Sequence, residues 1–175
     1  MASSQRLATF APNQVYITIT QESTGISHTL SGFSEDSIVN IERMAETYTL
    51  YTGADNTSTR VYNASKSATV TLSLQQSSAS NDVLSLLYQN DSAAPSSDGL
   101  FSIYITDAGG RSRYFSDNAY VGVVPNSPFA NSMQTRDWVI HAHDLETTIG
   151  GNAILTPEDQ ETILALGGTI DDRWI

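Results

Sequence analysis

His141-Ala142-His143-Asp144 holds the residue types that could ligate a metal ion. Histidines two apart on a strand project to the same face, so one ion could bridge them. A third ligand would have to come from elsewhere, and His28 is the remaining histidine. The competing reading makes both histidines surface or subunit-contact residues on the polar face opposite Trp138 and Ile140, and it is the one preferred. Three acidic pairs, Glu35-Asp36, Glu158-Asp159 and Asp171-Asp172, could suggest general acid–base work. Adjacent strand residues point apart, so they pair poorly; the first pair suits a turn, the second a helix start, and the third lies near the terminus. Serine is abundant, but no Gly-x-Ser-x-Gly elbow and no phosphate loop occur. Asp107-Ala108-Gly109-Gly110-Arg111 reads as a hairpin tip, because no helix start follows it. Trp138 alternates with apolar neighbours and reads as core; Trp174 offers a ring on which a ligand could stack. No catalytic residue, metal site or cofactor is assigned, and the chain is not expected to be an enzyme.

The elements that would position these residues are mostly strands. Val15, Ile17 and Ile19 alternate with Tyr16, Thr18 and Thr20. His28 to Phe33 suggests a short second strand. Val39 and Ile41 alternate with Asn40 and Glu42, and the strand signal continues through Tyr48-Thr49-Leu50-Tyr51. The polar stretch from Gly53 to Ser58 reads as a long loop or hairpin tip. The clearest strand is Ser67 to Gln75: Ala68, Val70, Leu72 and Leu74 face one way, and Thr69, Thr71, Ser73 and Gln75 the other. A helix follows, with Ser80 as its expected cap, Val83, Leu86, Leu87 and Asn90 at i, i+3, i+4, i+7 spacing, and a narrow apolar stripe. Leu100–Thr106, Arg113–Phe115, Tyr120–Val124 and Arg136–Leu145 supply further strands. The glycines of the Asp107–Gly110 turn are expected to take positive φ. Thr156-Pro157-Glu158-Asp159 starts a last helix, and Gly167-Gly168 ends it. The expected fold is mainly β: a β-sandwich or partial barrel of two antiparallel sheets, with one flanking helix and a short C-terminal helix.

Composition narrows the function classes. A chain of 175 residues suits one domain with a real core. Charged residues make up only 15%, while Ser and Thr supply about a quarter. The net charge of -11 and scattered cations argue against a protein that grips DNA, which needs clustered cations to displace counterions. Cysteine is absent, so disulfides and thiolate metal sites are excluded. No long apolar run follows Met1–Arg6, so no signal peptide or membrane span is expected. Strands with polar outer faces and a strong acidic bias point to an assembly protein.

Gly53-Ala54-Asp55-Asn56, followed by Arg60-Val61-Tyr62-Asn63-Ala64-Ser65-Lys66-Ser67-Ala68-Thr69-Val70-Thr71-Leu72, resembles a Gly-Ala-Asp-Gly … Lys-x-Gly-x-Val-Thr-Val stretch of phage tail tube proteins from contractile tails. Asn56 and Ser67 stand where glycine is more usual. Gln75 to Tyr88, Arg136–Ile140 and Ile149–Asn152 are similar to later parts of the same family, so the resemblance spans about residues 15 to 152. It implies a fold like the type VI secretion inner-tube protein. It also implies six subunits per ring and rings stacked into a tube inside a contractile sheath. The implied partners are further copies of the chain, the sheath, baseplate and terminator proteins, and a tape measure protein. DNA would pass through the lumen without specific binding, and no membrane is involved. The implied place is the virion tail, assembled in the host bacterial cytoplasm.

Within that frame residues 1–152 are expected to form the tube domain, with a long loop over 53–65, and 153–175 a helical extension. Asn40, Glu42, Thr69, Thr71, Ser73 and Gln75 are expected to line the lumen. Gly53, Ala54, Asp55, Asn56, Thr57, Ser58, Arg60 and Tyr62 are expected to reach the adjacent ring. Other readings that the residues allow are a tail terminator, a capsid decoration protein, or a carbohydrate-binding module using Tyr48, Tyr51, Tyr62 and Tyr104.

Overall fold

The computed structural model describes residues 6–175; Met1–Gln5, part of the stretch where no signal peptide is expected, lies outside the described residues. Among the described residues ten strands run in chain order: β1 Val15–Gln21, β2 Ile26–Thr29, β3 Val39–Arg43, β4 Tyr48–Thr52, β5 Ser58–Tyr62, β6 Ala68–Gln75, β7 Phe101–Asp107, β8 Arg113–Val123, β9 Thr135–His143 and β10 Glu146–Thr148. Helix α1 spans Ser80–Ala93 and α2 spans Pro157–Ala165. Eight strands form one antiparallel sheet in the order β2-β1-β7-β8-β9-β6-β3, with β10 added to β8; β4 and β5 form a separate two-stranded sheet. The mainly β expectation holds.

The alternation legible in the sequence sets the sheet's two faces. Ile17, Ile19, Val70, Leu72, Leu74, Ile103, Ile105, Trp138 and Ile140 are buried on one face. Leu84 and Leu87 of α1 close over that face and join the same core. Burying such side chains contributes about 1.5–3 kcal/mol each, the main term favouring the fold. Trp138 packs there, and its indole N–H donates to Asn81 Oδ1 at 2.9 Å, which ties β9 to the first turn of α1.

The connection after β2 curls the sheet on itself. Leu30 N–H donates to Ile17 O on β1; further on, Gln75 N–H donates to Gly32 O and Ser34 N–H to Ser73 O on β6. One segment thus touches both ends of the sheet, giving the partial-barrel shape. Gly32 has φ +74, and a Cβ there would lie 2.7 Å from Ser78 Cβ. Only glycine fits both demands.

Several local expectations are corrected. Ser80 does not cap α1: its hydroxyl meets His28 Nε2 and the Ser31 N–H, both at 3.0 Å. Ser78 Oγ instead accepts from Ser80 N–H. The buried stripe of α1 is Ser80, Leu84 and Leu87, whereas Leu86 is 58% exposed. The segments at 113–115 and 120–124 are one long strand, β8, that kinks at a register shift between Val121 and Val123. The second strand is Ile26–Thr29, and Phe33 makes only an isolated bridge to Leu74. The Asp107–Gly110 turn forms, but without positive φ at its glycines; Asp107 Oδ1 accepts from Gly109 N–H to close it. A Cβ at Gly110 would lie 2.5 Å from Asp107 Oδ2, so a larger residue there would need that carboxylate to move.

Thr156 and Asp159 form a full capping box at α2, with Pro157 in its first turn. Gly167, at φ +82, ends that helix. The C-terminal segment leans on the β7–β8 turn. Arg111 Nη1 donates to Ala153 O at 2.7 Å, and its guanidinium lies 4.8 Å from the centre of the Trp174 ring. Trp174 is therefore occupied by an intramolecular cation–π contact.

Candidate functional site

The histidines do not converge. His141 and His143 share the outer face of β9, as their spacing requires. His28 stands opposite the buried Ile19 and reaches Ser80 at the start of α1, on the other side of the sheet. Among the described residues no three His, Asp or Glu side chains come together as a ligand set. His141 packs 5.5 Å from Tyr120, ring to ring, and its Nδ1 is buried without a hydrogen-bond partner among the described residues.

The acid pairs are also placed in structural work. Thr156 holds the Asp159 carboxyl below its ordinary value, first through its hydroxyl and then its backbone N–H. Arg173 does the same for Asp171, in an ion pair of 2.9 Å. Glu35 and Asp36 lie in the exposed bend before β3.

Two surfaces remain that the sequence marked for assembly. The first is the outer face of β3 and β6. Register places Asn40 beside Thr71 and Glu42 beside Thr69, and β9 adds His141 beside Thr69 and Asp137 beside Ser73. Thr69, Thr71 and Ser73 are half-buried; Asn40, Glu42 and Gln75 are exposed. Asn40 Nδ2 donates to Glu42 Oε1 at 3.2 Å, and Gln75 Nε2 to Phe33 O at 2.9 Å. All six expected residues thus share one polar face, directly behind Val39, Ile41, Val70, Leu72 and Leu74, which pack inward.

The second is the β4–β5 hairpin. The loop expected over 53–65 is shorter than that: Ser58–Tyr62 is a return strand, and Gly53–Thr57 alone forms the tip. Gly53 N–H donates to Thr57 O at 2.8 Å, and Asp55 Oδ1 accepts from Thr57 N–H at 3.1 Å. That bond holds the Asp55 carboxyl below its ordinary value. Asn56 takes φ +66, a left-handed conformation that asparagine tolerates better than most residues. It fills the glycine's place in the resemblance without needing glycine. Every residue of both strands is exposed. Register puts Tyr48, Leu50, Arg60 and Tyr62 on one face, and Thr49, Tyr51, Thr59 and Val61 on the other. Tyr48 and Tyr62 pair across the strands at 5.4 Å, and the Arg60 guanidinium lies 4.2 Å from the Tyr48 ring centre. Leu50 is 73% and Tyr51 67% exposed. Sequence reasoning did not single out Leu50; the clue was that apolar residues fall on both parities of Tyr48–Tyr51.

Comparisons with known proteins identify the family. A curated protein of Pseudomonas phage KPP10, described as structural protein ORF10, is 52% identical over 170 residues, covering 97% of this chain and 98% of that one. Among solved structures, a chain of the anti-feeding prophage tube-terminating cap has TM-score 0.45 and 13% identity, covering 85% of this chain and 99% of that chain. A chain of the PVC contractile injection system sheath–tube complex in its extended state has TM-score 0.48 and 13% identity, covering 80% of this chain and 93% of that chain. A chain from the sheath/tube terminator of the same system has TM-score 0.48 and 12% identity, covering 82% and 99%. The family model described as bacteriophage PhiTE tail tube protein matches residues 7–150. With that match over most of its length, and a relative so similar along its whole length, the chain belongs to the PhiTE-type phage tail tube family: a structural component of the virion tail, not an enzyme.

Proposed function

We propose that six copies of the chain close a ring, and that rings stack into the tube of a contractile tail through which DNA leaves the virion. The observation that carries this reading is the β4–β5 hairpin. A two-stranded hairpin has little stability alone in water, and this one exposes apolar side chains on both faces. Such a surface calls for cover by another molecule. Residues Gly53–Ser58 with Arg60 and Tyr62 provide contacts to the adjacent ring. A head-to-tail contact of this kind repeats along one axis and builds an open-ended tube.

Asn40, Glu42, Thr69, Thr71, Ser73 and Gln75 line the lumen in this arrangement. They offer hydroxyls, amides and a carboxylate, which give phosphates little to hold. The overall charge of -11 keeps a polyanion from adhering to the wall. Residues 1–152 make the tube wall, and 153–175 form an extension held by Arg111. The sheath meets the outside of the tube, baseplate and terminator proteins meet its ends, and a tape measure protein occupies the lumen during assembly. Assembly takes place in the host bacterial cytoplasm.

Deleting Asp55–Ser58 tests the reading. The expected result is folded protein, by circular dichroism, that no longer forms tubes in negative-stain images. Normal tubes from the deletion variant would overturn the stacking role.

A further inference from the structure

We propose that the β4–β5 hairpin of one subunit docks on a second copy of this chain at the cavity between Glu22, Asp98, Phe115 and Asp117, with Arg60 as its charged anchor. The proposal rests on the ring-stacking reading and names the acceptor surface that reading leaves open.

The donor side is pre-arranged. Arg60 is the cation of the hairpin, and its guanidinium stacks on Tyr48, which pairs in turn with Tyr62. Among the described residues no acceptor or carboxylate engages Arg60; the ion pair found there is Arg173 with Asp171. Stacking covers one face of a guanidinium and leaves its N–H edge free. An arginine flanked by two tyrosines is also the composition that dominates binding energy at interfaces.

The acceptor side is complementary. The cavity, of about 460 Å³, lies at the end of β1 and the start of β7, beside the middle of β8. Its lining includes three carboxylates (Glu22, Asp98 and Asp117) and no Lys or Arg. Phe115, 39% exposed and 6.5 Å from Tyr104, supplies an apolar wall for a tyrosine to meet. The choice of a second copy follows from charge. With 19 acids against 8 cations, two copies repel over most pairings of their surfaces. An apolar hairpin bearing a free arginine, set against an unbalanced acidic cavity, is a pairing that reverses the sign.

The chain lacks cysteine, so introduced thiols are unique. Ser58→Cys protein, whose thiol lies on the Arg60 face of the hairpin, is mixed with Ser97→Cys protein, whose thiol lines the cavity, so that Arg60 and the three carboxylates stay in place. The mixture is assembled, treated with a short bismaleimide and run on a denaturing gel. Because each chain carries one thiol, a cross-linked dimer can form only between subunits. The expected result is a dimer band in the mixture far above that from either variant alone. In parallel, Arg60→Glu should reduce pelleted tube about tenfold, and Arg60→Glu combined with Asp117→Arg should restore most of it. Tubes that yield no such dimer, or a charge swap without restoration, overturn the docking site. If the Asp55–Ser58 deletion still abolishes tubes in that case, the stacking role of the hairpin survives and only the acceptor is wrong. Normal tubes from the deletion would overturn both.

Discussion

Trp138 shows how much of the fold one residue holds. It is 4% exposed, and its indole N–H is committed to Asn81 Oδ1. Trp138→Ala should cost about 3–5 kcal/mol through lost burial and the cavity left behind. Asn81→Ala should cost about 1–3 kcal/mol, because it strands the indole N–H and removes the Asn81 Nδ2 bond to Gln75 O. Urea denaturation followed by circular dichroism checks both, and equal costs would show that the hydrogen bond, not the ring, dominates. Two carboxyls set a pH response at the same scale. Thr156 lowers the pKa of Asp159, and Arg173 lowers that of Asp171. A folded-state pKa below the unfolded one stabilises at pH values above the ordinary carboxylate range of about 4, and that stability is lost as pH falls through the lowered value. Protection over 153–175, taken relative to the intrinsic exchange rate at each pH, should therefore fall on acidification toward that value, ahead of protection in β6 and β9. Protection that falls uniformly across the chain would contradict this.

Elements were legible where a face is buried. β6 and β9 alternate strictly, and every inward residue expected of them packs inward. β5 was missed because neither of its faces is buried, so no alternation separates it from a loop. β10 follows β9 after a single turn in which Asp144 takes φ 49, a change of direction that periodicity does not encode. The expected cap Ser80 lies inside α1, whose N-cap residue is Ala79 with no side-chain cap; tertiary contacts with His28 and Ser31, which no local pattern encodes, hold the Ser80 hydroxyl elsewhere. The polar face of β3 and β6 could be read from sequence, while the acidic cavity joins residues from positions 20 to 118 that no local pattern links. At this scale Arg111 fastens the C-terminal segment through Ala153 O, Gly151 O and the Trp174 ring. Arg111→Ala should make that segment a ready target of limited proteolysis while the sheet keeps its melting temperature within a few degrees. Cleavage unchanged from the parent chain would show that other contacts hold the segment.

At the scale of the whole molecule, three surfaces differ in kind. The core face is closed by α1, the β3–β6 face is polar, and the hairpin carries exposed apolar area that a lone subunit leaves in water. That division suits a wall with a wet side, a packed interior and a projecting contact arm. The most direct test is a cryo-EM reconstruction of the tubes formed by the purified chain. The account predicts stacked six-membered rings, with Asn40, Glu42, Thr69, Thr71, Ser73 and Gln75 facing the lumen and the β4–β5 hairpin crossing to the next ring. Rings whose lumen is lined by other residues, with this polar face turned outward or the hairpin left free in solvent, would contradict it.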